Sequence, residues 1–255
     1  MKIYFLGTCA GTEPMPTRKH TAFVVECGET LYWFDAGEGC SYTAHNMGLD
    51  LLKVRKIMIS HPHQDHVGGL GNLIWNIRKL MWCKKLEHLE DVDVYIPNLN
   101  VWDALLTMLR HTEGNFNLKF NLTAHETQDG VLFDDGTLRV TAMHNNHMKP
   151  IEDKWQSYSF LIEGDGKKLV YSGDVKLYEE LDPLIGDGCD GLIIETGHFD
   201  VEDVYNYAKD KPIGKIFYNH SGREILFHPE ESTEKVQKLF GGKAVIAYDT
   251  MTAEL

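Results

Sequence analysis

Residues 60–69 read Ser-His-Pro-His-Gln-Asp-His-Val-Gly-Gly, and they constrain this chain more than any other stretch. Three histidines and an aspartate (His61, His63, Asp65 and His66) fall within six positions. Imidazole and carboxylate are ligands that suit borderline divalent cations such as zinc. An apolar-rich strand candidate over 54–60 precedes the cluster. After it Leu70, Leu73, Ile74, Ile77, Leu80 and Met81 recur at helical spacing. The cluster therefore sits on a loop between a strand and a helix. Across a tight turn His61 and His63 can point one way, while Asp65 and His66, at the helix start, point to a neighbouring position. That arrangement suits two adjacent metals better than one.

Two metals need more ligands than one loop supplies, and three further strand ends offer them. A strand over 138–143 runs into His144-Asn-Asn-His147-Met-Lys-Pro150. A strand over 168–171 runs into Ser172-Gly173-Asp174, and one over 216–218 into Asn219-His220-Ser221-Gly222. Each delivers a ligand type to its C-terminal end, where a shared cleft would lie.

Alternating and continuous apolar runs predict further strands over 3–6, 21–26, 31–34, 92–96, 131–133, 157–163, 191–194 and 243–246. Helices are predicted over 41–47, 67–82, 101–109, 201–208 and 231–240, and residues 111–127 are ambiguous. With no internal repeat and no Pro/Gly/Ser-rich linker, the expectation is one domain over 1–255, of mixed α and β class.

Composition narrows the function. A net charge of −13, from 25 basic and 38 acidic residues, argues against binding nucleic acid mainly by charge. No apolar run approaches the length of a membrane span, and the opening Met-Lys-Ile-Tyr-Phe-Leu-Gly lacks the pattern of a signal peptide. Five scattered cysteines without a Cys-x-x-Cys pair fit reduced thiols in a cytoplasm. Each is expected to be a small, partly buried apolar residue. A homodimer is left open.

The stretch His-x-His-x-Asp-His resembles the metal loop of the metallo-β-lactamase fold superfamily of hydrolases. The resemblance implies an α/β (α+β) fold, a four-layer αββα sandwich. It also implies roles: His61, His63 and His147 for one metal, Asp65, His66 and His220 for the second, and Asp174 as the bridging carboxylate. His144 competes with His147, but Asn-His-x-Lys-Pro followed by Tyr158-Ser-Phe-Leu resembles the third-ligand segment of the family and favours His147. Asp35, at a strand end, resembles a buried aspartate that orients the metal loop. The cofactors implied are two divalent metal ions, zinc first, with manganese and iron as alternatives. The remaining histidines are expected at the surface or in local hydrogen bonds.

The opening Phe5-Leu-Gly-Thr-Cys-Ala-Gly-Thr-Glu-Pro-Met-Pro-Thr-Arg18 resembles the phosphodiesterase and ribonuclease Z-like branch. His198, 22 positions before His220, falls where that branch places its catalytic histidine, with Glu195 as the acidic residue supporting it. Asp65 and His198 are thus the catalytic candidates. The branch implies a hydroxide generated by the two metals that attacks phosphorus in line, while His198 protonates the leaving alkoxide. Arg223, Lys149 and Ser221 are candidates to hold the phosphate oxygens.

One departure matters. Ribonuclease Z typically inserts a transfer-RNA-binding arm between the third ligand and the bridging aspartate, yet His147 and Asp174 are only 27 positions apart. The expected substrate is therefore a small phosphodiester or cyclic-nucleotide-like molecule, with no stable nucleic-acid complex and no membrane partner. A lactonase or thioesterase on the same metals is the alternative, as is a metal-binding protein without turnover. A redox di-iron module is disfavoured by His63 and His66. Residues 83–130 are long enough to wall the cleft, although Met81, Trp82, Trp102, Met108, Phe116 and Phe120 in and beside that stretch are expected in the core.

Overall fold

The computed structural model describes the backbone of residues 1–255 and every side chain except that of Asn115. Among the described residues, two seven-stranded sheets face one another. The first contains β1 (Lys2–Gly7), β2 (Ala22–Cys27), β3 (Thr30–Phe34), β4 (Val54–Met58), β5 (Val92–Ile96) and β6 (Leu122–Glu126). The second contains β7 (Gly130–Asp134), β8 (Leu138–His144), β9 (Tyr158–Gly164), β10 (Lys167–Tyr171), β11 (Cys189–Thr196), β12 (Ile213–Ser221) and β13 (Ala244–Ile246). The last strand, β14 (Thr252–Glu254), returns to pair with β1 and closes the edge of the first sheet.

Alternation along the strands explains the layering. In β1, Ile3 and Phe5 point between the sheets, while Tyr4 and Leu6 point to the helices outside the first sheet. In β12, Phe217 lies between the sheets, and Ile216 and Tyr218 face the outer helices of the second. Strands buried on both faces read as near-continuous apolar runs, as these do. The helices supply the outer layers. α1 (Cys40–Asn46), α2 (Gln64–Val67), α3 (Leu70–Cys83) and α4 (Leu99–Thr112) belong to the first half, and α5 (Asp182–Ile185), α6 (Val201–Ala208), α7 (Arg223–Phe227) and α8 (Pro229–Phe240) to the second. The order is helix, sheet, sheet, helix, as expected.

β3 to β6 run parallel, as do β10 to β13. The loops after β3, β4, β10 and β11 and the end of β12 carry the candidate residues, so parallel strands bring Asp35, His61, Asp174, His198 and His220 together at one edge of the sandwich.

Several expectations need correction. The helix predicted over 67–82 is two helices broken at Gly68-Gly69. A Cβ on Gly69 would lie 2.2 Å from the Gly37 carbonyl oxygen, so the chain needs glycine where it crosses the loop after β3. The ambiguous stretch contains β6, whose Thr123, His125 and Glu126 blur its pattern. Met81, Trp102, Phe116 and Phe120 are buried as expected, but Trp82 and Met108 are exposed. Cys83 is likewise exposed, whereas the other four cysteines are buried.

Candidate metal centre

The metal loop is held from behind by one buried carboxylate. Asp35 follows β3 with φ of 52°, in the left-handed region that aspartate tolerates better than most residues. Its Oδ1 accepts from the Ser60 amide at 2.6 Å. Its Oδ2 accepts from the Ser60 hydroxyl at 2.8 Å, the Tyr171 hydroxyl at 2.5 Å and His66 Nδ1 at 2.8 Å. Tying down Nδ1 turns His66 Nε2 outward, the arrangement in which an outer carboxylate orients a ligating imidazole. The backbone repeats the clamp, because the Ala36 amide donates to the His66 carbonyl at 2.6 Å and the Gly69 amide to that of Ala36 at 2.7 Å.

In front of this support the candidate ligands converge in three overlapping groups. His61, His63, His147 and Asp174 each offer one atom, all within 4.8 Å of one another, and so do Asp65, His66 and His220, and Asp174, His198 and His220. In the first group His61 Nε2 and His63 Nδ1 are 2.9 Å apart, and His147 Nε2 lies 3.3 Å from His63 Nδ1. Asp174 Oδ2 lies 3.7 Å from both His61 and His147. In the second group Asp65 Oδ2 lies 3.1 Å from His220 and 3.4 Å from His66. The other oxygen of Asp174 is 3.4 Å from each of those histidines. One carboxylate thus faces both of these groups.

The donor set fits divalent cations. Among the described residues, His66 Nε2, Asp174 Oδ1 and His220 Nδ1 are buried atoms with no hydrogen-bond partner, and all three aim into the second group. An unsatisfied buried polar atom is destabilising by about 1–3 kcal/mol. A cation at their focus removes that penalty for all three at once.

His220 reaches the group by a local irregularity. Glu195 pairs with Asn219 but Thr196 pairs with Ser221, so His220 is the extra residue of a bulge, and its φ is 47°. Such a conformation stores about 1–3 kcal/mol and persists only where the surroundings enforce it. Part of the enforcement is a slot against Gly197, where a Cβ would lie 2.4 Å from His220 Nδ1.

His144 and His147 separate as the segment suggested. His144 Nδ1 bonds Asp129 at 2.7 Å, and its ring stacks on Trp155 with centroids 4.0 Å apart. Buried Asn145, which the sequence reasoning missed, turns the loop. Its Oδ1 accepts from the His147 amide at 3.1 Å and from the Ser157 hydroxyl at 2.7 Å. The expected result of mutation is therefore asymmetric. His147→Ala should lose metal and activity together, and His144→Ala should keep both. Elemental analysis of the two variants checks this, and metal loss from His144→Ala alone would contradict it.

His198 stands beside the cluster. Glu195, buried at the end of β11, accepts from the His198 amide at 3.2 Å and from His198 Nδ1 at 2.9 Å. The remaining ring nitrogen is left free, and the side chain is 46% exposed. The Glu195 hydrogen bond and charge raise the His198 pKa against the opposing effect of burial.

The metal-free centre balances its charges with protons. Burial alone would lower the His220 pKa, but Asp174 and Asp65 outweigh it and raise it to about 9. His66 is likewise driven well above its ordinary value, with burial opposed by Asp174 and Asp35. Ligation needs neutral imidazole, so metal loading near neutral pH is expected to release protons, and apparent affinity to climb with pH until about 9. His220 stabilises the metal-free fold fully below its unfolded pKa, near 6.5, and that contribution is lost as pH rises through about 9. Calorimetric titration in buffers of differing ionisation enthalpy measures the release. Binding without proton uptake by the buffer would contradict this picture.

A cleft of about 540 Å³ opens over the cluster, lined by Ala10–Thr12 of the N-terminal loop, by the segment at the start of α6 and by Gly222 to Glu224. Among the described residues, none of 83–130 lines this cleft. Arg223 is the only arginine or lysine among the lining residues, and Glu13 holds it at 2.9 Å. Ser221 is buried and turned toward Arg18, and Lys149 is not among the residues that line this cleft.

Two facing sheets between helices, with a histidine–aspartate cluster at their common edge, define the metallo-β-lactamase fold. A family model described as anti-Pycsar protein Apyc1 matches residues 1–193, and the chain belongs to that family. Ribonuclease BN of Cronobacter sakazakii is 34% identical over 170 residues, covering 66% of this chain and 51% of the relative. Ribonuclease Z of Archaeoglobus fulgidus is 24% identical over 312 residues, covering 100% of this chain and 97% of that protein. The chain spans about half the length of the ribonuclease BN relative, and 45% of ribonuclease Z from Methanothermobacter thermautotrophicus. The crystal structure of human tRNase Z, short form, superposes with a TM-score of 0.68 at 24% identity, covering 100% of this chain and 99% of that one. The metallo-beta-lactamase fold protein YhfI from Bacillus subtilis gives 0.73 at 17% identity, covering 99% of each. These likenesses establish the fold and a relation to ribonuclease Z.

Proposed function

We propose that this chain is a metal-dependent hydrolase with two divalent ions, zinc first and manganese or iron as alternatives, that cleaves a small phosphodiester or cyclic-nucleotide-like substrate. His61, His63 and His147 would hold one ion and Asp65, His66 and His220 the other, with Asp174 facing both groups. Ions held there would supply activation of water at neutral pH and neutralisation of a phosphodiester's charge.

The observation that carries the phosphodiester reading is His198. It is not needed to complete the first two ligand groups, yet Glu195 fixes its tautomer and raises its pKa at the mouth of the cleft. An imidazole whose pKa a buried carboxylate raises, set at the cleft, can donate a proton to a departing alkoxide. Asp65, which lines the cleft, faces His220 at 3.1 Å and is placed to act on a water that enters there. The buried polar support of Asp35 keeps the metal loop fixed throughout.

A small substrate suits the cleft better than transfer RNA. Its lining offers one arginine, already engaged by Glu13, and the whole chain carries a net charge of −13. The alignment to the Archaeoglobus fulgidus ribonuclease Z extends over 312 positions against 255 residues here, so that relative carries segments without a counterpart in this chain.

The test is a substrate panel on metal-loaded protein: bis-p-nitrophenyl phosphate, cyclic nucleotides, a lactone, a thioester and a transfer-RNA precursor. Turnover of the phosphodiesters above the carbonyl substrates is the expected outcome. A preference for the lactone or thioester would overturn the phosphodiester reading, and efficient 3′ cleavage of the precursor at physiological salt would overturn the small-substrate reading.

A further inference from the structure

We propose that Arg18, outside the ligand groups, is a positioning residue for the second metal: its guanidinium locks the bulge that aims His220 at Asp65 and Asp174. The inference rests on the two-metal reading above and adds the means by which one half of the centre is held.

Three segments of chain distant in sequence meet on this side chain. Arg18 Nη1 donates to the Thr8 hydroxyl at 2.8 Å, to the Ala247 carbonyl at 2.7 Å and to the Ser221 hydroxyl at 3.4 Å. Thr8 and Ser221 are fully buried. The Thr8 hydroxyl passes its own proton to Asp249 at 2.8 Å, and Asp249 also accepts from the Lys19 amide at 2.7 Å. The N-terminal loop, the end of β12 and the turn before β14 are thereby joined by one polar network.

The backbone bonds of the same segments lie on both flanks of His220. On one side the Ala247 amide donates to the Tyr218 carbonyl at 2.8 Å. On the other the Ser221 amide donates to the Thr8 carbonyl at 2.7 Å, and the Ala10 amide to the Ser221 carbonyl at 3.1 Å. A left-handed histidine in a bulge relaxes unless its neighbours are held. Arg18 holds the segments that hold them. All three bonds leave one nitrogen of a planar head group whose position is rigidly fixed, whereas a lysine ammonium sits on a flexible stem and holds such a point less firmly.

Among the described residues, none of the hydrogen bonds of this network goes to the segments that deliver His61, His63 or His147, whereas its backbone bonds flank His220 directly. Loss of the guanidinium therefore acts selectively on the group of Asp65, His66 and His220. A general contribution to folding would weaken both halves alike, so selectivity is the signature of positioning.

The experiment compares wild-type protein with Arg18→Ala, Arg18→Lys and Thr8→Val by elemental analysis and by chelator competition for each metal. Arg18→Ala is expected to weaken the second metal by ~10–100-fold while the first stays within about twofold, the range typical of losing an outer support of a ligand. Arg18→Lys should recover only part of the loss, and Thr8→Val should show a smaller loss of the same selectivity. If Arg18→Ala fails to fold, the other two variants carry the same criterion. Two metals of wild-type affinity in every soluble variant, or equal weakening at both sites, would overturn the role of Arg18 alone. A single metal in the wild-type protein would overturn the two-metal reading and this inference with it.

Discussion

His198→Ala is expected to keep the fold and both metals and to lose ~10²–10⁴-fold in turnover of a phosphodiester whose leaving group is an alkoxide. The side chain is half exposed, and although it stands within ligand reach of Asp174 and His220, the groups of His61, His63, His147 and Asp174 and of Asp65, His66 and His220 form without it, so its removal leaves them in place. An alkoxide departs slowly without a proton, and the imidazole that Glu195 anchors at 2.9 Å supplies one. A p-nitrophenolate leaving group needs no proton, and for it the loss should shrink. The comparison of the two substrate types is more telling than activity alone, which any disturbance of the cleft lowers. Equal losses on both would assign His198 to substrate positioning. No loss on either would leave it a surface histidine.

Asp35→Ala is expected to have the largest effect on stability. The carboxylate accepts from Ser60 twice, from Tyr171 and from His66, all inside the protein. Removing it strands those donors with no water to replace it, and breaking a buried charged network in this way is typically destabilising by about 3–5 kcal/mol. The same change frees the His66 ring, so metal affinity should also fall by ~10–100-fold. Urea unfolding of the metal-free proteins isolates the first effect, and chelator competition the second. A stability loss below about 1 kcal/mol, the net value of one ordinary hydrogen bond, would mean that the network is not the support of the loop.

The metal centre was more legible in the sequence than the cleft around it. Ligating residues announce themselves by type and by position after strands, and His61, His63, Asp65 and His66 do so within one loop. Their convergence with His147, Asp174 and His220 follows from parallel strands ending at one edge. Supporting residues carry no such mark. Asn145, Ser60, Tyr171 and Arg18 act through hydrogen bonds to segments remote in sequence, and only the fold shows which partners they meet. The walls of the cleft were less legible for a related reason. The segment 83–130 was long enough to suggest a wall, with core packing the expected role of its large apolar residues, and the apolar faces of α3 and α4 do commit much of it to the core of the first half. The short elements α5, α7 and β14 escaped because a few residues do not establish a period. The break at Gly68-Gly69 was visible as a pair of glycines, yet its cause is the crossing of Gly37, which no local pattern records.

The central claim is that seven side chains from three loops and the end of β12 hold two metals. Elemental analysis of wild-type protein purified without chelator, repeated after stripping and reloading, tests it most directly. The claim predicts a content that approaches two transition-metal ions per chain. A reproducible single ion after full reloading would contradict it.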